Sequence, residues 1–148
     1  MKNPEVELKL PVIPDIELTA TKTAEVISKH MSLSEEKTGE ISMAIIESCI
    51  NAFEHSKTKE IYIHFIVSDD KLTVKVIDHG KGFDKSKVEI PNIENKLKSE
   101  RKRGWGLQLV AELMDTVEYD SDESGTTVTM TKKKEGNEWI NKKRRRKK

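Results

Sequence analysis

Four polar side chains recur at helical spacing within a segment that is otherwise apolar. Glu47, Asn51, Glu54 and His55 are separated by three and four residues, which returns them to one face of an α-helix. The remaining positions of 41–53 are mainly Ile, Ala, Cys and Phe, so most of this helix is predicted to be buried. A carboxylate and a carboxamide side by side suit Mg²⁺, which shares its coordination with phosphate oxygens. The alternative is that this arc is simply the solvent face of the helix.

A second candidate segment begins where an apolar strand ends. Asp78 closes that strand and is followed by Gly80 and Gly82. Glycines at this position let the backbone turn sharply and approach a ligand. The Asp78 carboxylate can accept a hydrogen bond from an exocyclic amine, whereas the alternative is an ordinary Asp-x-Gly surface turn. His79 is interpreted as an incidental loop residue.

A third candidate segment precedes a helix that is predicted to start near Leu107. It contains Arg103, Gly104 and Gly106. Glycines at a helix N-terminus expose backbone N–H groups at the positive end of the helix dipole, where phosphate is favoured. The charged residues 84–103 that come before it form a connection long enough to be a lid or a binding loop.

Hydrophobic periodicity predicts the elements that must position these residues. The predicted elements are an edge strand near residues 6–10, a helix over 16–31, a helix from the N-cap Ser34 to about His55, strands over 60–67 and 72–77, a helix near 107–114, and strands over 116–119 and 126–131. Because the strands are mostly joined by hairpins, we expect an α+β fold. It is a two-layer α/β sandwich in which helices cover one face of a mostly antiparallel mixed sheet.

Length and composition exclude several classes of protein. A chain of 148 residues, 34% hydrophobic and 36% charged, supports one domain and is neither a large multidomain enzyme nor a disordered chain. The single Cys49 excludes an internal disulfide framework and a cysteine-rich zinc site. The sequence contains no apolar run long enough for a membrane span and no apolar signal-peptide core, so we expect a cytoplasmic protein.

Charge is distributed unevenly along the chain. Residues 132–148 contain ten Lys/Arg and two Glu, which leaves residues 1–131 with 17 basic and 24 acidic residues, a net charge of −7. We therefore expect a folded domain over 1–131 and a basic, disordered tail over 132–148. The tail is interpreted as a solvated extension, with a docking segment or a nucleic-acid contact as alternatives. Any nucleic-acid contact falls to the tail, because phosphates are attracted to a basic surface.

Taken together, these motifs resemble the GHKL-type ATP-binding superfamily. Within it, they resemble the bacterial anti-sigma factor serine kinases of the RsbW and SpoIIAB type. The likeness runs from about Val6 to Thr131. It is carried by an asparagine box at 47–55, glycine boxes at 78–83 and 103–107, and closing strands at 113–119 and 125–128.

The resemblance implies a Bergerat-type fold that binds ATP or ADP with Mg²⁺. Asn51 would ligate Mg²⁺, and Glu47 would be the general base that accepts the proton of a substrate serine. Asp78 would bind the adenine amino group, supported by Thr126. The glycine boxes would supply the remaining nucleotide-binding positions: Gly80 and Gly82 at the purine, and Arg103, Gly104, Gly106 and Leu107 at the phosphates beneath a lid over 84–103.

The resemblance also implies partners. A serine kinase of this type would sequester a sigma factor in one state and phosphorylate a small STAS-type antagonist, an anti-anti-sigma protein, in the other. It suggests a homodimer and no membrane partner. The alternative function is a non-catalytic ATP-binding module that controls a phosphatase, a cyclase or another partner. Glu47 favours the kinase, because a pure binder needs Asn51 and Asp78 but no base. A sensor histidine kinase is not expected, since no phosphoacceptor helix pair precedes the ATP site.

Overall fold

The computed structural model describes residues 3–56, 59–79 and 105–135. The predictions for Gly80, Gly82, Arg103, Gly104, the lid over 84–103 and most of the basic tail lie outside the described residues. The elements are β1 (Glu5–Pro11), α1 (Glu17–His30), α2 (Glu35–His55), β2 (Glu60–Val67), β3 (Lys71–Asp78), α3 (Trp105–Leu113), β4 (Thr116–Asp122) and β5 (Gly125–Lys133). Every predicted element is present, with ends that differ by a few residues.

The strands form one sheet in the order β1-β2-β3-β5-β4. All four strand pairings in the described part of the chain are antiparallel. Residues in β2, β3 and β5 alternate between buried and half-buried positions, so one face of the sheet packs against the helices. The predicted α+β sandwich is therefore confirmed, and β5, the last strand in the described part of the chain, lies inside the sheet between β3 and β4.

The core lies between this sheet and the three helices. Its fully buried side chains include Ile41, Ile45, Cys49, Ile61, Ile63, Phe65, Leu72, Val74, Val110 and Met130. Within the described ranges, no helix is both long enough and apolar enough to cross a bilayer.

Helix α2 starts where the sequence predicts. The Ser34 hydroxyl accepts a hydrogen bond from the Lys37 backbone N–H at 3.1 Å, which satisfies one of the N–H groups that the helix leaves unpaired. Glu35 and Glu36 occupy the first turn, where the positive end of the helix dipole favours carboxylates. The cap therefore fixes the N-terminus of the helix that carries Glu47 and Asn51.

Two buried lysines hold the chain beyond residue 131 against the helices. Strand β5 continues to Lys133, and the buried Lys132 ammonium donates to the Leu113 carbonyl at 2.5 Å. The buried Lys37 ammonium donates to the carbonyls of Lys133 and Lys134, at 2.8 and 2.6 Å. The Lys132 side chain and the backbone of Lys133 and Lys134 are therefore held against α2 and α3.

We expect Ser28→Ala to stabilise the protein. Ser28 is completely buried on α1, and its hydroxyl has no hydrogen-bond partner in the described structure. Removing an unpaired buried hydroxyl should raise the free energy of unfolding by about 1 kcal/mol, measured by urea denaturation. Ser48→Ala is the matched control. Its equally buried hydroxyl donates to the Met130 sulfur at 3.3 Å, so that variant should gain nothing. A loss of stability in Ser28→Ala would contradict the expectation.

We expect Cys49 to be unreactive in the folded protein. Burial, aided by the Glu17 carboxylate, raises the pKa of the Cys49 thiol to about 12. At neutral pH the thiol is therefore protonated as well as inaccessible. Iodoacetamide should alkylate the native protein at least about 100-fold more slowly than the urea-unfolded protein, as followed by intact mass. Equal rates in the two states would show that α2 does not shield the thiol.

Candidate functional site

Glu47 and Asn51 lie one turn apart on α2, at the border of its buried face. The neighbouring Ser48 points into the core, where its contact with Met130 fixes the rotation of the helix relative to β5. Glu47 and Asn51 are half-buried, whereas Met43 and Ile50 are 48% and 42% exposed. This distribution argues against the solvent-face alternative, because the polar side chains are more sheltered than the apolar ones.

Asp78 and Thr126 form a buried polar pair at the end of β3. They are directly opposite each other in the β3–β5 register, and only 4% and 3% of their surfaces are exposed. The hydroxyls of Ser121 and Thr126 are 2.9 Å apart, so a hydrogen bond joins β4 to β5 beside Asp78. Both side chains carry acceptor oxygens, and a carboxylate can accept more than one hydrogen bond. The pair is therefore suited to a ligand that offers a hydrogen-bond donor at this end of the sheet.

Gly125 allows β5 to approach Asp78. Its φ is +144°, and a Cβ at this position would lie 2.0 Å from the Asp78 carbonyl oxygen and 2.9 Å from the His79 Cα. Only glycine fits such a close approach. The sequence marks Ser124-Gly125 as a turn but gives no sign of this contact, so the role of Gly125 could not be predicted. The sequence likewise gives no sign that the Ser121 hydroxyl contacts Thr126.

The first turn of α3 lies along α2. Lys132 contacts both the Leu113 carbonyl, at the end of α3, and the Glu40 carboxylate, at 3.3 Å, near the start of α2. Because the two helices pack along each other, α3 runs antiparallel to α2, and its N-terminus lies level with the second half of α2. Gly106 and Leu107 are in this first turn, since the helix starts at Trp105. The positive end of the α3 dipole is thus on the same side of the molecule as Asn51.

Tyr119 supports the start of α3. Its hydroxyl donates to the Leu107 carbonyl at 3.4 Å, and burial raises its pKa, so the hydroxyl stays protonated at neutral pH. His79, in contrast, is exposed and stacks edge-on against Tyr62, with ring centroids 5.3 Å apart. The interpretation of His79 as an incidental residue stays a prediction.

The side chains that are present suit a metal ion only if a ligand brings most of its coordination. In the described residues, no group of three or more His, Cys, Asp or Glu side chains could hold a metal ion. Mg²⁺ commonly keeps several waters and is bound through one or two protein oxygens plus phosphates. The Asn51 amide oxygen, with the Glu47 carboxylate one turn away, fits this kind of shared coordination.

Comparison with known proteins shows that most of this chain matches a family of ATPase domains. Residues 15–132 match the family described as the histidine kinase-like ATPase domain. The serine-protein kinase RsbW of Bacillus licheniformis is 34% identical over 135 residues, covering 86% of this chain and 84% of that protein. The serine-protein kinase RsbW of Bacillus cereus strain Q1 is 30% identical over the same length and shares.

Solved structures share the fold at low sequence identity. The RsbU and RsbW domains of a Mycobacterium tuberculosis protein superpose with a TM-score of 0.64 at 20% identity, covering 87% of this chain and 32% of that one. The SiaB–SiaC complex of Pseudomonas aeruginosa gives a TM-score of 0.55 at 8% identity, covering 86% and 89%. These likenesses confirm the predicted architecture.

We expect Gly125→Ala to damage both stability and the candidate site. The added Cβ would force the Asp78 backbone away, so the free energy of unfolding should fall by about 2 kcal/mol or more. Binding of Mg-ATP, measured by titration calorimetry, should weaken as well. Gly39→Ala is the matched control. A Cβ there meets nothing within 4 Å, and alanine in a helix should add about 1 kcal/mol of stability. A Gly125→Ala variant with unchanged stability and nucleotide binding would refute the role of this close approach.

Proposed function

This chain belongs to the histidine kinase-like ATPase domain family, and from that membership we propose that it is an ATP-dependent serine-protein kinase that acts by partner switching. The observation that carries the proposal is the sheltered Glu47, one turn before Asn51 on a rigid helix. A protein that only bound nucleotide would have no use for a half-buried carboxylate beside its magnesium ligand. The relatives named serine-protein kinase RsbW support the same activity.

The described site residues other than Glu47 are proposed to bind the nucleotide or its metal ion. Asp78 accepts a hydrogen bond from the adenine amino group, and Thr126 supports this contact from the neighbouring strand. The backbone N–H groups at the start of α3, around Gly106 and Leu107, face the phosphates. Asn51 holds Mg²⁺. When bound with ATP, this ion neutralises charge on the phosphate oxygens during transfer.

Glu47 acts on the protein substrate. Its carboxylate accepts the proton of the substrate serine hydroxyl as the serine oxygen bonds to the γ-phosphorus and the bond to the ADP oxygen breaks. General-base catalysis of this kind contributes about 10²- to 10⁴-fold in rate, and positioning and charge neutralisation supply the rest. Packing of α2 against the sheet holds the carboxylate in place, because the next two residues, Ser48 and Cys49, are completely buried in the core.

The proposed protein substrate is a small antagonist of the STAS type, and the proposed second partner is a sigma factor. The kinase would sequester the sigma factor in one nucleotide state and engage the antagonist in the other. The difference between ATP and ADP is the γ-phosphate, which can order or release contacting segments. A homodimer, as the family resemblance implies, is part of the same proposal.

We expect Glu47→Gln to separate catalysis from binding. The substitution keeps the size of the side chain and removes its basicity, so Mg-ATP affinity should stay within about two-fold while phosphotransfer falls about 10²- to 10⁴-fold. Transfer of labelled phosphate to a purified STAS-type antagonist measures the rate. Glu35→Gln, in the exposed first turn of the same helix, is the matched control and should leave the rate unchanged.

The same variant tests the alternative of a non-catalytic module. Affinity capture from native lysate with Mg-ATP or Mg-ADP, read by mass spectrometry, identifies the partners and their phosphoserines. A captured antagonist that gains phosphate only with ATP, and only with Glu47 intact, supports the kinase. Partners that exchange with nucleotide but never gain phosphate, with either the native protein or Glu47→Gln, would refute it.

A further inference from the structure

Helix α2 carries an exposed apolar row that the proposed activity does not use. Met43 and Ile50 are separated by seven residues, two helical turns, and are 48% and 42% exposed. The half-buried Ile46 lies between them on the same side of the helix. Single exposed apolar residues are ordinary on protein surfaces, but an aligned row on one helix is typical of an interaction surface.

An acidic row runs beside the apolar row. Glu36, Glu40, Glu47 and Glu54 follow at spacings of four and seven residues, so they lie within about 40° of each other on the helix surface. From residue 38 to residue 54 the helix contains no lysine or arginine. Lys132, near the end of β5, contacts the Glu40 carboxylate of this row at 3.3 Å. We call the two rows together the outer α2 face.

The C-terminal segment leaves the described part of the chain near the N-terminal end of α2. The Lys37 ammonium, in the first turn of α2, holds the carbonyls of both Lys133 and Lys134. Residues 136–148 follow, and 13 residues can span about 45 Å when extended. Helix α2 has 21 residues and is about 32 Å long. The segment is therefore long enough to run along the whole helix.

The composition of the segment complements the outer α2 face. Trp139 and Ile140 come first, and residues 142–148 are then seven consecutive Lys/Arg. We propose that residues 136–148 dock on the outer α2 face, with Trp139 and Ile140 against Met43 and Ile50 and the basic run along the acidic row. The match to the ATPase family ends at residue 132, so this contact is a feature of this chain in addition to the family fold.

Tethering favours this occupant over a separate basic partner. A segment anchored at Lys134 is present at an effective concentration in the millimolar range at α2, and it loses no overall translational freedom on docking. The attraction is largely between exposed charges, so salt should weaken it. The docked segment would lie along the helix that carries Glu47 and Asn51, which makes the state of the tail a means of regulating access to that helix.

Paramagnetic broadening in the full-length chain tests the docking. The Asn141→Cys variant can be spin-labelled at one site, because the native Cys49 is buried and its pKa is raised to about 12. At low salt, the methyl signals of Met43 and Ile50 should fall to less than about half of their diamagnetic intensity. The methyl signals of Val26, which is 70% exposed on α1, should be unaffected. In about 1 M salt, where the screening length is about 3 Å, the broadening should disappear.

Charge variants in the tail give a matched pair that leaves the folded body unchanged. Replacing Arg144, Arg145 and Arg146 together by glutamate should abolish the broadening, and replacing them by lysine should retain it. Unaffected Met43 and Ile50 signals, or equal broadening at Val26, would overturn the proposal. A tail that leaves these signals unaffected but binds a DNA duplex would assign the basic run to nucleic acid instead. Broadening only when label and isotope are on different chains would assign the face to a second copy.

Discussion

The pairing of β3 with β5 is the constraint on which the rest of the structure depends. It places Asp78 opposite Thr126, and it brings the Gly125 backbone against the Asp78 carbonyl. It also sets Met130 beneath Ser48, so the rotation of α2 follows from the same strand. A shift of one residue in this register would turn the alternating side chains of β5 to the other face, removing both the polar pair and the core contact.

Helix α2 has a core face, a border and an outer face, and Glu47 lies where the border meets the outer face. Its core face is apolar and completely buried at Ile45 and Cys49. Its border carries the half-buried Glu47 and Asn51. Its outer face exposes Met43 and Ile50. The proposed catalytic site and the proposed docking surface therefore lie side by side on one helix, with the acidic row between Met43 and Asn51.

Local patterns predicted most of the fold. The apolar periodicity of α2 and the cap at Ser34 depend only on residues close together in the sequence. The helix, and the placement of Glu47 and Asn51 on it, could therefore be predicted. The roles of Gly125 and Lys37 could not be predicted from the sequence. The Lys37 ammonium contacts a carbonyl 96 residues away, and the Gly125 backbone meets Asp78 across the sheet. Such contacts depend on the register of distant strands, which no local pattern specifies.

The interior position of the last strand has a consequence for synthesis of the chain. Strand β5 lies between β3 and β4 although it is made after both. Until residues up to Lys133 have left the ribosome, β3 has a free edge with unpaired backbone groups, and Asp78 has no facing strand. Free edges of this kind recruit other strands and promote aggregation. The nascent protein must therefore delay the final assembly of its sheet until β5 has been made and can pair with both β3 and β4.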